Sequence, residues 1–390
     1  YAMHALDQPV DQWIDYALWL TARELAPRWL PVLEEGELGF ASADHLVFAL
    51  KSVGSSEVVP MLVEQVRSDR LTPELELDAL EAVAALGEPE HLRLVLDAAL
   101  TTAENQPDRS ARLLETLADA TRRRKVRPAG DVVAAGRLLD SSHAPLQRAA
   151  IRLVGLWKVT EHAPRLSEIA ADAKLSADVR LAAIEGLAHL GRADERAALI
   201  QLARTPPADG ATDLRSAAVA ALARFDLTAA ISEAVRLLAE QPPLADPEPL
   251  FRGILEEKDG AEKLATALKE SKIAEDIAKI GLRVVTGSGR QLPDLEAALR
   301  TAGGVTTGPK TLSAEELMQL VAAVREQGDP VRGEGIYRRE DLSCTKCHAI
   351  GGSGGLVGPD LVSIGASAQV DYLIESLLVP NKAVKENYHT

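Results

Sequence analysis

The sequence predicts an all-α chain: a long run of paired-helix repeats followed by a small helical terminal domain. Three observations predict it. Hydrophobic residues make up 46% of the 390 residues but aromatic residues only 3%, a balance that fits Ala/Leu-rich helices and disfavours a β-sandwich. From about residue 42 to about 240, apolar residues recur with helical period between short turns. The pattern also repeats itself. Ala149-Ala150-Ile151, Ala182-Ala183-Ile184 and Ala217-Ala218-Val219 recur at spacings of 33 and 35 residues, and Val53-Gly54 and Leu86-Gly87 at 33. A chain of this length is expected to hold two or more domains.

Residues 1–41 read as a helical N-terminal cap. They carry Trp13, Trp19 and Trp29, and Trp13, Tyr16, Ala17 and Leu20 share one helical face, which predicts a packing stripe. Residues 42–283 read as an α-solenoid. In one of its units Val179, Ala183, Leu187 and Leu190 form an apolar stripe, with Glu185 and His189 as an exposed pair one turn apart. Gly191 is expected to take the left-handed conformation that ends this helix, and Asp194 to cap the next. Such a unit cannot bury its stripe alone, so the repeats must stack. The spacing, with Asp178-x-Arg180 recurring as Asp213-x-Arg215, resembles HEAT-like repeats, roughly five to seven of them. The proline-rich stretch Gln241 to Pro249 breaks or bends the run, and helix resumes to about Lys279. The basic run Arg122 to Arg127 reads as a solvated face between repeats, with docking of a partner as the alternative.

Glycine-rich residues 284–311 read as a linker around a short helix near Leu292–Arg300. Residues 312–390 form the expected terminal domain. There Ser313 and Glu316 make a capping box opening a helix over Ala314–Arg325. Gly328-Asp329-Pro330 ends it, and a further helix covers Val331–Arg339. After a glycine-rich loop, Tyr372, Ile374, Leu377 and Leu378 mark the last helix, limited by Pro380.

Between these helices lies Cys344-Thr345-Lys346-Cys347-His348, with the only two cysteines of the chain. C-x-x-C-H is the attachment pattern of a c-type haem. Each thiol forms a thioether with a vinyl group, and the adjacent histidine becomes the proximal iron ligand. A zinc site would want a second pair of ligands at a supporting spacing, and none is present. A thioredoxin-like pair would want a strand–helix setting, whereas these flanks are glycine-rich loop. The stretch Gly351 to Leu361 fits haem too, because glycines let backbone approach the macrocycle. Pro359 keeps a free carbonyl and is assigned as acceptor for the Nδ1–H of His348, which would orient the ring and make it more electron-donating. The expected haem-binding set is therefore Cys344, Cys347, His348, Pro359, Tyr337 and Leu361, with simple core packing the alternative for Tyr337.

Residues from about Gly328 to Tyr388 resemble the haem-binding C-x-x-C-H domain of large secreted proteins of planctomycetes and verrucomicrobia. The resemblance rests on Gly328-Asp329-Pro330, Gly333, Tyr337, Cys344, Cys347-His348-Ala349-Ile350-Gly351-Gly352, Gly355 and Gly358-Pro359-Asp360-Leu361. It continues through Ile364-Gly365, Tyr372-Leu373-Ile374-Glu375-Ser376, Pro380-Asn381-Lys382 and Tyr388. The opening Asp11 to Leu20 also resembles the region preceding the repeats in such proteins. This likeness implies a cytochrome c-like domain behind helical repeats, themselves often behind a propeller resembling sugar dehydrogenases. It therefore implies a C-terminal portion of a larger dehydrogenase-like protein. It also implies a distal methionine beyond the position of Tyr388, whereas Met3, Met61 and Met318 all precede the motif. The sixth iron position is thus unassigned. His389 and Met318 are the candidates, against a surface histidine and helix packing as the respective alternatives.

The formal net charge of −15 and pI near 5.1 argue against nucleic acid, which wants a basic face, and suit a basic redox partner or plain solubility. No run of 18 or more apolar residues occurs, which predicts no membrane span. No signal peptide stands before the cap, and haem attachment in the resembling proteins takes place outside the bacterial cytoplasm. The expectation is a processed or truncated exported protein, periplasmic or beyond. The lack of further cysteines agrees with an oxidising compartment.

The expected function is single-electron transfer by one haem c held covalently through Cys344 and Cys347. The solenoid would serve as docking scaffold for a redox partner protein or an attached dehydrogenase domain. No nucleophile–base pair, phosphate loop or carboxylate constellation stands out, so no substrate turnover is expected of this segment. Two alternatives stay open. One is an interaction and assembly scaffold with an accessory haem, the other a haem sensor or peroxidase-like protein with an open iron position.

Overall fold

In the computed structural model the described residues are 2–68, 70–208, 211–305, 312–339, 342 and 344–379. The chain is all-α. Helices carry nearly all the regular structure, and the strand pair among the described residues is only two residues long on each side. The chain divides into two compact units, Tyr1–Val305 and Thr306–Thr390.

Several helices of the first unit start where a side chain satisfies backbone groups left over at the end. Asp11 accepts from the amides of Trp13 and Ile14 at 2.9 Å, Ser42 from His45 at 3.2 Å, and Asp226 from Ala229 at 2.9 Å. Gly54 and Gly191 close their helices at φ 70° and 65°, the left-handed region that a residue with a Cβ avoids. Glu195, not its neighbour Asp194, caps the helix Ala193–Arg204, accepting from the Arg192 amide at 3.0 Å.

From Ala144 onward the helices lie in two rows. Ala144–Leu156, Ala177–Leu190, Arg215–Ala223, Glu248–Glu256 and Glu275–Gly287 form one row, each packed on the next. Ala163–Ala171, Ala193–Arg204, Leu227–Leu238, Gly260–Leu268 and Pro293–Gly303 form the other. One continuous core runs between the rows and back to Leu30, with Leu80, Leu114, Ile151, Leu187 and Phe251 among its most buried members. Each such side chain contributes about 1.5–3 kcal/mol by leaving water.

Small residues set the spacing within a row. A Cβ on Gly155 would stand 2.8 Å from the Gly186 Cα, and one on Gly253 would stand 2.7 Å from the Ala220 Cα. Arginines tie a helix to the carbonyl end of a neighbour. Arg124 donates to Gly87 at 2.6 Å and Ala84 at 3.2 Å, Arg180 to Ala170 at 3.1 Å, Arg236 to Ala203 at 2.7 Å, and Arg290 to Leu255 at 2.6 Å. These carbonyls lie at helix C-termini, where the macrodipole also favours a cation. The basic run is therefore partly structural: Arg124 is consumed in this way, and Arg127 reaches the Trp157 carbonyl at 3.4 Å.

Three further local expectations are corrected. The stripe Trp13, Tyr16 and Leu20 is exposed, because the helix Gln12–Glu24 turns its smaller Leu18 and Ala22 inward. His189 is half-buried rather than exposed. Helix extends through the segment read as linker: Glu275–Gly287 outruns Lys279, and Pro293–Gly303 packs on it through buried Leu295, Ala298 and Leu299.

The second unit holds the helices Ala314–Gln327, Pro330–Tyr337 and Val370–Leu378, with short turns and a tiny hairpin between. Ala314–Gln327 opens on the Ser313–Glu316 capping box and packs on Val370–Leu378. Among its described residues only Ala349 and Ile374 are buried hydrophobics. Among all described residues, no helix is long and apolar enough to cross a membrane.

Candidate functional site

The site is built from one end of a short helix, one helical turn and one loop. Asp329 starts the helix Pro330–Tyr337 by accepting from the amides of Val331 and Arg332 at 2.9 and 3.0 Å. At its far end Tyr337 donates its hydroxyl to the His348 carbonyl at 2.8 Å. Cys344–Cys347 form a single helical turn, closed by the His348 amide on the Cys344 carbonyl at 2.9 Å. Neither cysteine is in a disulfide. Cys344 is half-buried, with its thiol 3.7 Å from the Leu342 carbonyl, and Cys347 is exposed.

The glycine-rich loop folds back on this turn. Gly355 donates to the Thr345 carbonyl at 2.8 Å and Gly358 to the Cys347 carbonyl at 2.7 Å. Close approach explains the glycines: a Cβ on Gly355 would lie 2.0 Å from the Lys346 carbonyl oxygen, and one on Gly358 only 2.6 Å from Cε1 of His348. The imidazole thus rests against bare backbone. Its Nδ1 lies 2.9 Å from the Pro359 carbonyl oxygen, at a position where proline has no amide to compete. With Nδ1 engaged, Nε2 is the ring atom that can ligate a metal.

A second set of bonds fixes the loop. Ala349–Ile350 pairs antiparallel with Ser353–Gly354, joined by Gly351 and Gly352 at φ 62° and 81°. Two left-handed residues in a two-residue turn suit the twist of a hairpin. Their amides donate to Asp360 at 3.0 and 2.8 Å, and Val362 adds a third bond at 2.8 Å. The amides of Val362, Gly352 and Gly351 hold the Asp360 carboxyl below the ordinary carboxylate range. Sequence reasoning assigned Asp360 no role. The available signal was a short carboxylate placed after Gly-Pro and within reach of consecutive glycine amides.

The structure brings Cys344, Cys347, His348, Pro359 and Tyr337 together. Leu361 is half-buried and donates its amide to the Ala349 carbonyl at 2.8 Å. Tyr337 acts here through its hydroxyl on the His348 backbone, a contact the sequence did not suggest. Met318 is 66% exposed on Ala314–Gln327, so it is not packed in a helical core. His389 lies outside the described residues. The arrangement thus sets two nucleophilic thiols one helical turn apart beside an imidazole whose Nε2 can act as a metal ligand. No family model matches the chain, and no curated protein does.

Proposed function

We propose that the chain is an exported c-type haem protein that carries single electrons. On this proposal the first unit is a HEAT-like solenoid that docks a redox partner or an attached dehydrogenase domain, and the second is cytochrome c-like. The observation that carries the proposal is the seating of His348, with Nδ1 on the Pro359 carbonyl at 2.9 Å and the ring against Gly358.

The residues present fit haem c. Cys344 and Cys347 are the thioether donors and His348 the proximal ligand. Exposed Leu342, Ile350, Leu356, Val357 and Val362 offer apolar side chains near the motif, as a porphyrin requires. When bound, the haem supplies an iron centre that takes up and releases one electron. The protein's part is orientation. Pro359 holds the imidazole N–H, fixing the ring and raising its basicity, while Tyr337 and Asp360 restrain the backbone on either side of it.

A visible spectrum of the exported protein, oxidised and reduced, before and after denaturation, tests the proposal. Haem bands that stay with the unfolded chain are expected. A colourless protein after export in a host that matures cytochromes c would overturn it. Carbon monoxide added to the reduced protein then separates the functions: no fast binding is expected of an electron carrier, whereas rapid binding would favour a sensor or peroxidase-like role.

A further inference from the structure

We propose that His4, Asp7 and His45 form a binding site for a divalent transition-metal ion of the zinc class. His4 and Asp7 lie on the 3₁₀ segment Ala2–Asp7, and His45 on the first turn of the helix Ala43–Val53. One carboxylate oxygen of Asp7 is 2.9 Å from Nε2 of His45, and the other is 3.1 Å from Nδ1 of His4. The two rings meet edge-on, with centroids 5.4 Å apart. All three ligand atoms lie within 4.8 Å of one another, the one such group of His, Cys, Asp and Glu among the described residues.

Zinc bonds of about 2.0–2.1 Å in a tetrahedron place ligand atoms roughly 3.3 Å apart. The contacts of 2.9 and 3.1 Å run to the two different oxygens of Asp7, and with all ligand atoms within 4.8 Å of one another the side chains can close around an ion by turning about their own bonds. Two imidazoles and a carboxylate are a donor set suited to zinc, cobalt, nickel or iron(II). His45 is held in place, since its side chain is 3% exposed and its amide bonds to Ser42 at 3.2 Å. A cavity of about 270 Å³ borders both histidines and is lined also by Met3, Thr21, Trp29 and Phe40. It leaves room for a fourth ligand, water or a small donor molecule. Metal binding would clip the N-terminal segment onto the helix Ala43–Val53, closing a long loop.

The test is calorimetric titration of the chelator-treated full chain with Zn²⁺, with Cys344 and Cys347 alkylated or carrying haem so that they do not compete. One saturable ion per chain is expected. Asp7→Asn and His4→Ala, both at exposed positions, should each weaken binding by more than about 10-fold, since even outer partners of a ligand are worth that much. His143→Ala should leave binding unchanged, because that ring pairs with Asp108 at 3.1 Å instead. Amide exchange over residues 2–7 should slow with Zn²⁺ in the parent chain and not in Asp7→Asn. No saturable site, a site that survives Asp7→Asn, or exchange indifferent to zinc would each overturn the proposal.

Discussion

At Gly358 the lack of a side chain decides where an imidazole can sit. Alanine there would put a methyl 2.6 Å from the His348 ring and push it off the Pro359 carbonyl. With haem attached, Gly358→Ala should therefore raise the midpoint potential and slow electron transfer by roughly 10-fold or more, measured by redox titration and stopped flow. His189 makes a residue-level prediction of another kind. Burial, then Arg224, Arg122 and Lys158, lower its pKa, so it stays neutral where an unfolded histidine gains a proton. Its contribution to stability is present above the ordinary histidine range and is lost as pH falls through the lowered native value. Urea midpoints at about pH 7.5 and about pH 5 should show a smaller acid-side loss in His189→Gln than in the parent.

Among elements, what holds neighbours together is specific rather than merely apolar. Arg124→Met should cost about 1–3 kcal/mol by leaving the carbonyls of Ala84 and Gly87 without their partner, read from thermal or urea unfolding. Gly155→Leu should cost at least about 1–3 kcal/mol, because the crossing with Gly186 has no room for a side chain. These devices explain what was legible. Gly191 could be placed as a helix end because an apolar stripe stops just before it. Pro359 could be paired with His348 because a proline carbonyl after a glycine-rich run is free to accept the ring N–H. The stripe Trp13, Tyr16, Leu20 misled because periodicity shows which residues share a face, not which face a neighbour covers. Asp194 and Glu195 both suit a helix start, and only the backbone decides between them. His4, Asp7 and His45 left no local trace at all, since the chain between Asp7 and His45 must fold before the three meet.

At the scale of the whole molecule, charge sets the terms of encounter. On the proposed function, a chain of net charge −15 should react faster with cationic than with anionic small oxidants at low salt. Raising ionic strength from about 0.01 M to about 0.1 M shortens the Debye length from about 30 Å to about 10 Å. Stopped-flow rates with hexaammineruthenium(III) should fall several-fold over that range, and those with ferricyanide should rise. The two rows of the first unit carry a further consequence. Each helix there packs on its nearest neighbours along the chain, so a pull on the ends loads the crossings in series rather than all at once. Under load such an array should lengthen by small tilts at its crossings and then yield pair by pair, which force-extension measurements on the chain would read as a soft rise followed by stepwise unfolding. A partner anchored at each end would then sit at a distance that can breathe under load without the fold being lost.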